Sequence, residues 1–305
     1  DAKAILLVGT NTRWEAPLVN TRIRKAVKRG AKVFAIGPEV DLTYPATWLG
    51  DDLGLLARLP REVSDAFGEG GGAVLVGMGA LAVTGAYEAT RAAAAGLAAE
   101  FNMVHTAASR VGALDLGFTA EGGMEAIRAR AGALKALFLL GADEADFSAF
   151  AGTFTVYIGS HGDAGVRVAD VILPGAAFSE KHGTYVNLEG RVQLSERATH
   201  PPGDARADWS ILRALSDVLG KPLPFDDVDQ LRAAIGAERP HLVQPGLTAF
   251  LGLPSAAKAP AGVTGGIVYP ISDFYLTNPI ARSSPTMQRC SAELLHGETF
   301  QEAAE

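Results

Sequence analysis

Apolar residues along the chain fall into short, β-branched runs separated by stretches with a helical period. That alternation predicts an α/β protein built on mostly parallel sheets. Ala4–Gly9 reads as a buried strand. It precedes a helix over Pro17–Arg29, whose Val19, Ile23 and Val27 recur every four residues, with Pro17 in the first turn and Gly30 at the end. Lys32–Ile36 is the next strand and Gly37-Pro38 stops it, completing a β-α-β unit. After the Gly70-Gly71-Gly72 breaker a second series begins: strand Ala73–Gly77, an Ala-rich helix over Thr84–Glu100, and strand Phe101–His105. A helix at Gly123–Arg130 and strands at Leu134–Leu140, Thr153–Ile158 and Ala169–Leu173 follow. The last long element is a helix over Arg206–Leu219, with Asp204 as its N-cap and Gly220 as its stop.

Beyond Lys221 the texture changes, because nine of the 16 prolines lie between there and Glu305. We therefore expect an α/β region over 1–220, with a sub-boundary near 68–72. A Pro-rich C-terminal extension over 221–305 would pack on that region or on a partner, with small helices near Val228–Ile235 and Met287–Leu295. The chain opens almost directly on a strand and without Met, which suggests part of a longer polypeptide.

Charge and composition narrow the chemistry. Lys+Arg 27 against Asp+Glu 34 gives a net charge of -7, which supplies no electrostatic footprint for nucleic acid. No apolar run reaches the length of a membrane span. The single cysteine, Cys290, excludes an internal disulfide, a Cys-rich zinc site and an iron–sulfur cluster held by this chain alone. Cys290 itself reads as a reduced thiol without a catalytic role.

Gly77-Met78-Gly79-Ala80-Leu81-Ala82 follows a strand and fits a relaxed dinucleotide fingerprint. The acid that should take the ribose is misplaced, since Glu100 precedes the next strand instead of ending it. The glycines are better explained by a helix packing closely on a strand. Arg22, Arg24, Lys25, Lys28 and Arg29 crowd the end of the first helix, where they complement its dipole or form a docking patch for an acidic neighbour. His161 and His182 lie in polar, glycine-bearing turns with Asp163 and Glu180 nearby, too few ligands for a metal site. There is no G-x-S-x-G motif. The densest polar stretch, Ala169–Gln193, ends a strand at Pro174 and then carries Glu180, Lys181, Asn187, Glu189 and Arg191 between glycines. Its position suits a binding loop.

That stretch, A-D-V-I-L-P…E-K…G-T-Y-V-N-x-E-G-R-V-Q, resembles the molybdopterin oxidoreductase family, which includes formate dehydrogenase. Ile5–Asn11 and Asn20–Pro38 are similar to the pterin-guanine-dinucleotide half-domain of the same family. The runs Asn11–Asn20, Val40–Tyr44, Ala113–Gly117 and Asp273–Thr277 narrow the resemblance to one branch, the C-terminal region of the large (75 kDa, or G) peripheral-arm subunits of respiratory complex I, NADH:quinone oxidoreductase. The resemblance implies doubly wound, mostly parallel sheets of the formate dehydrogenase-like type. It implies a region without catalytic residues, metal or cofactor of its own. The 2Fe-2S and 4Fe-4S clusters would lie in an N-terminal part of the subunit. Partners would be that cluster-bearing part and other peripheral-arm subunits, on the cytoplasmic face of a bacterial inner membrane or the mitochondrial matrix side.

Active relatives carry Asp-Pro-Arg after the second strand, where this chain has Gly37-Pro38-Glu39. The acid that would bond the guanosine is gone, and Glu39 would repel a pyrophosphate. Gly9, Thr10, Asn11, Asn187 and Arg191 are the candidates for a vestigial pocket, with Arg191 expected to satisfy carbonyls or a carboxylate. Two alternatives come with this reading: an active molybdopterin-dependent oxidoreductase fragment, and a dinucleotide-binding module using Gly77–Ala82.

Overall fold

The computed structural model describes residues 2–68, 71–247 and 262–298. Gly70, part of the expected breaker, and stretches of the expected C-terminal extension lie outside them. By contacts the chain forms two units, Asp1–Arg110 with Ala249–Ser272, and Val111–Thr248 with Asp273–Glu305. This differs from the partition at residue 220. The prolines after Lys221 shorten the elements but do not detach the segment: part of it returns to each unit.

The first unit is an open parallel sheet of β1 (Ala4–Val8), β2 (Lys32–Ile36), β3 (Thr47–Gly50), β4 (Gly72–Val76) and β5 (Glu100–Met103), in the order β3-β2-β1-β4-β5. β1 is apolar and buried along its whole length, as a central parallel strand covered on both faces must be. Leu6 and Val8 pack with Val63 and Phe67 of α3 (Arg61–Gly68) and with alanines of α5 (Ala86–Gly96). On the opposite face Ile5 and Leu7 meet Ile23 of α2 (Pro17–Val27). Each such side chain contributes about 1.5–3 kcal/mol by leaving water. The Ala-rich helix is shorter than its composition suggested, because Gly85 before it is left-handed at φ 82° and Ala98 after it turns to φ 51°.

The chain winds outward from β1 through β2 to β3, then returns to the other side of β1 as β4. The topological switch point therefore lies between β1 and β4, at their carboxyl ends. Two one-turn helices stand there, α1 (Thr12–Glu15) after β1 and α4 (Met78–Leu81) after β4. The described part of the returning segment, 262–272, packs on this unit: Gly266 bridges to Asp52, and Ile267 is buried in the core.

In the second unit β6 (Leu137–Leu140), β7 (Thr155–Gly159) and β8 (Val171–Pro174) form a parallel sheet. Its core joins Leu139 and Tyr157 to Phe147, Phe150 and Ala131. A separate antiparallel sheet pairs β9 (Gly183–Val186), β10 (Arg191–Ser195) and β11 (Gly246–Leu247). The second half of the stretch read as a binding loop, from Gly183 on, is thus a hairpin, which the glycines on either side of its polar residues obscured. The helix expected from Arg206 begins at Asp208, with Ala207 and not Asp204 at its N-cap. Arg206 is instead tied to the end of β8 by its N–H to Pro174 and its carbonyl to Ala176. Val228–Glu238 covers the first of the two small helices expected after Lys221, and Pro285–Cys290 with the π-helical turn Ser291–Leu295 that follows it covers the second.

Candidate functional site

Carboxyl ends of strands at a switch point are where open α/β sheets place phosphate-bearing ligands, on glycines that let backbone approach the ligand. Here the glycines are present, but protein occupies the space beside them. Gly9 is left-handed at φ +58°, and a Cβ on it would fall 2.4 Å from the Ala80 nitrogen. A Cβ on Gly77 would fall 2.5 Å from the Thr10 Cβ, and one on Gly79 would lie 2.8 Å from the Val268 carbonyl oxygen. The loops after β1 and β4 are therefore in direct backbone contact, with the 262–272 segment against the second of them. The packing reading of Gly77–Ala82 describes what these glycines do. Glu100 begins β5, opposite Ala73, and so stands at the amino end of the strand.

The β1 loop satisfies several of its polar groups from within. The Asn11 N–H, of the kind that would face a phosphate, donates to Glu15 Oε1 at 2.6 Å. Thr10, Asn11, Thr12, Glu15 and Asn20 are all buried, a dense polar group for so short a segment. The Thr12 hydroxyl donates to Asn20 Oδ1 at 2.8 Å, and Asn20 Nδ2 donates to the Leu42 carbonyl at 3.1 Å. Tyr44 Oη is 3.1 Å from Thr12 Oγ1, which leaves it the donor, and burial pushes its pKa up to about 12.

Thr10 Oγ1, Asn11 Oδ1 and Glu15 Oε2 are buried without a hydrogen-bond partner among the described residues. Burial pushes the Glu15 carboxyl above the usual carboxylate range. The Asn11 N–H opposes that shift, as does the Thr10 hydroxyl, which lies close by outside hydrogen-bonding geometry. Over the end of β2 stands Tyr269, whose hydroxyl donates to the Pro38 carbonyl at 2.7 Å. A Cβ on Gly37, which has φ +147°, would meet that hydroxyl at 2.7 Å. A tyrosine thus stands where the molybdopterin pattern has an acidic side chain. Burial, reinforced by the nearby charge of Glu15, raises the Tyr269 phenol.

Gly9, Thr10 and Asn11 belong to the first unit, Asn187 and Arg191 to the second. Asn187 makes the hairpin turn between β9 and β10, its Oδ1 accepting from the backbone N–H groups of Glu189 (2.9 Å) and Arg191 (3.0 Å). Arg191 serves the turn through its backbone N–H and carbonyl. Glu180 accepts from the Ala177 N–H at 2.9 Å, Lys181 pairs with Asp208, and His182 pairs with Glu196. His161 presents its carbonyl to Tyr157 Oη at 2.6 Å, and the same hydroxyl lies 2.6 Å from Asp143 Oδ2. Among the described residues no group of three or more His, Cys, Asp or Glu is placed to hold a metal ion.

Glu15, Tyr269 and the Asp143–Tyr157 pair escaped the sequence reading. The signal for Glu15 was a carboxylate one turn beyond Asn11, in the loop after the β1 glycine. For Tyr157 it was a phenol inside a strand buried on both sides, where its hydroxyl needs a partner.

The profile of the molybdopterin oxidoreductase family matches residues 1–218, and the chain belongs to that family. Residues 243–290 match a second profile, that of the C-terminal region of the NADH-ubiquinone oxidoreductase G-type subunits. The chain is 39% identical, over 316 aligned positions, to the mitochondrial NADH-ubiquinone oxidoreductase 78 kDa subunit of Candida albicans, an alignment covering 95% of this chain and 43% of that protein. It is 38% identical to the 75 kDa subunit of Reclinomonas americana, covering 94% and 44% of the two chains. For the mitochondrial 78 kDa subunit of Neurospora crassa the figures are 40% identity, 95% and 42%. The chain therefore spans less than half the length of these relatives.

The pterin dinucleotide implied by the family name does not fit the first unit as it stands. Ala80 fills the approach to Gly9, Tyr269 the position beside Gly37, and Glu15 takes the Asn11 N–H that an anionic ligand would need.

Proposed function

We propose that this chain is a cofactor-free scaffold region of the large peripheral-arm subunit of NADH:quinone oxidoreductase. In this reading it supports respiratory electron transfer from NADH to quinone, coupled to proton translocation, without taking part in the chemistry. It supplies folded mass against which the cluster-bearing part of the subunit and neighbouring arm subunits pack, on the cytoplasmic or matrix face of the membrane. The 2Fe-2S and 4Fe-4S clusters belong to the rest of the subunit. The observation that carries the reading is the closure of the switch point by Glu15, Ala80 and Tyr269 in a chain so similar to the 75 and 78 kDa subunits.

The test is elemental and pterin analysis of the purified chain, combined with thermal melts in GDP and in NADH. We expect neither molybdenum nor iron in stoichiometric amount, and no shift with either nucleotide. One molybdenum per chain with extractable pterin would favour the active-oxidoreductase alternative. A nucleotide present at about a hundred times its dissociation constant should stabilise by about 2.7 kcal/mol. A shift of that size would favour the dinucleotide module.

A further inference from the structure

We propose that Asp273–Glu298 is a strap that closes the carboxyl edge of the second unit's parallel sheet and opens from it as one body, with Arg282 as its latch. This deepens the scaffold reading, on which it rests only in taking that edge to carry no ligand. Glu144 stands in the loop after β6 and Asp163 in the loop after β7, at the edge where open α/β sheets place ligands. Arg282 reaches both: its Nε donates to Asp163 Oδ2 at 2.6 Å, and its Nη2 to Glu144 Oε1 at 3.1 Å. One guanidinium from the C-terminal region thus joins the two loops.

The strap's other hydrogen bonds are internal. Arg282 Nη1 turns back to the Leu276 carbonyl, Gln288 Nε2 donates to the Arg282 carbonyl, and the Ser291 hydroxyl donates to Asp273. Asn278 and Ser284 cap the short helices Pro279–Arg282 and Pro285–Cys290. Among the described residues, the hydrogen bonds that leave the strap all come from the Arg282 guanidinium. Packing adds little more. Ser291 is the one buried residue from Asp273 to Glu298, and Phe274, Ile280 and Leu294 are exposed. Segments with few buried apolar contacts open locally at low cost, and the internal bonds hold this one together as it moves.

The first unit is closed by the same region of the chain, but more firmly. Tyr269, over the end of β2, and Arg282 both fall within 243–290, the match to the G-type profile, whereas both parallel sheets fall within 1–218. Ile267 anchors the Tyr269 segment in the core of its unit. The strap has no such anchor, so of the two closures it is the one able to open.

The experiment is amide hydrogen exchange on the full chain, read by mass spectrometry over residues 274–292. The labelling rate of Cys290, the chain's single cysteine and partly buried in the strap, is a second readout. Arg282→Gln is compared with Arg289→Gln, an equal charge change on the same strap. In Arg282→Gln we expect exchange over the strap, and labelling, to accelerate at least about tenfold, the scale set by hydrogen bonds to charged groups, while β7 stays within about twofold of the parent. Arg289→Gln should stay within about twofold throughout, as exposed substitutions usually do. Metal analysis and nucleotide melts judge the scaffold reading separately, so either can fail without the other. A strap already unprotected in the parent, no acceleration in Arg282→Gln, equal acceleration in Arg289→Gln, or acceleration that spreads to β7 would overturn the proposal.

Discussion

The hydroxyl of Tyr269 occupies the space that a Cβ on Gly37 would need, 2.7 Å away, and donates to the carbonyl of Pro38 from there. One residue thereby explains why its neighbour is glycine. Gly37 takes φ +147°, a conformation L side chains rarely adopt, so Gly37→Ala faces both strain and a clash and should cost about 1–3 kcal/mol in urea unfolding. Tyr269→Phe removes only the hydrogen bond and should cost about 0.5–1.5 kcal/mol. Gly37→Asp, which reinstates an acid at this position, should be no milder than Gly37→Ala and should not create guanine-nucleotide binding in a thermal melt.

Glu15 acts inside the β1 loop as the acceptor that a ligand anion would otherwise supply. Glu15→Ala leaves the Asn11 N–H buried without that partner and should destabilise by about 1–3 kcal/mol. Glu15→Gln keeps an acceptor in place and should lose less than half of that. Equal losses in the two variants, measured by denaturant unfolding, would show that packing and not the hydrogen bond sets the role of this residue.

The same carboxyl makes stability depend on pH with a definite sign. Its folded pKa lies above the ordinary value of 4.5, because burial disfavours the charge, so the native state binds this proton more tightly than the unfolded chain does. Its contribution is complete below 4.5 and is lost as pH rises through the folded value. Subtracting the unfolding free energy of Glu15→Gln from that of the parent isolates the effect from other carboxylates. The difference should fall as pH is raised from about 4 toward neutrality. A difference that is flat, or that rises with pH, would contradict the assignment.

Much of the first unit was legible because its apolar runs are buried on both faces and its punctuation is local. Gly30 and Gly37 stop elements through their own backbone conformation, which any reading of the sequence can anticipate. Features that depend on distant residues were not legible. Nothing near Gly37 points to a tyrosine more than two hundred residues on. β3 and α3 were also passed over: Thr47–Gly50 is a four-residue edge strand, and Arg61–Gly68 buries only Val63, Ala66 and Phe67. The hairpin around Asn187 read as a ligand loop because Asx turns and binding loops draw on the same polar residues. Family resemblance supplied the functional frame, while the internal use of Asn11, Glu15 and Gly37 emerged only from the geometry.

The pair Asp143 and Tyr157 tests whether GSHGDAG is a structural turn. Asp143 is buried, and besides lying 2.6 Å from the Tyr157 hydroxyl it accepts from the Gly165 N–H at 2.8 Å and, more weakly, from the Asp163 N–H at 3.2 Å. Tyr157 Oη also reaches the His161 carbonyl, so one buried pair ties both ends of the turn to β7. Burial and the Asp143 carboxylate push the phenol above its usual range, which favours its role as donor. Tyr157→Phe deletes that donor and should cost about 1.5–3 kcal/mol, the range for hydrogen bonds to a charged group. His161→Ala keeps the carbonyl and should cost under about 0.5 kcal/mol, as exposed substitutions usually do. Hydrogen exchange over residues 160–166 should accelerate in the first variant and stay unchanged in the second. A His161→Ala effect as large as that of Tyr157→Phe would instead give the imidazole a role of its own.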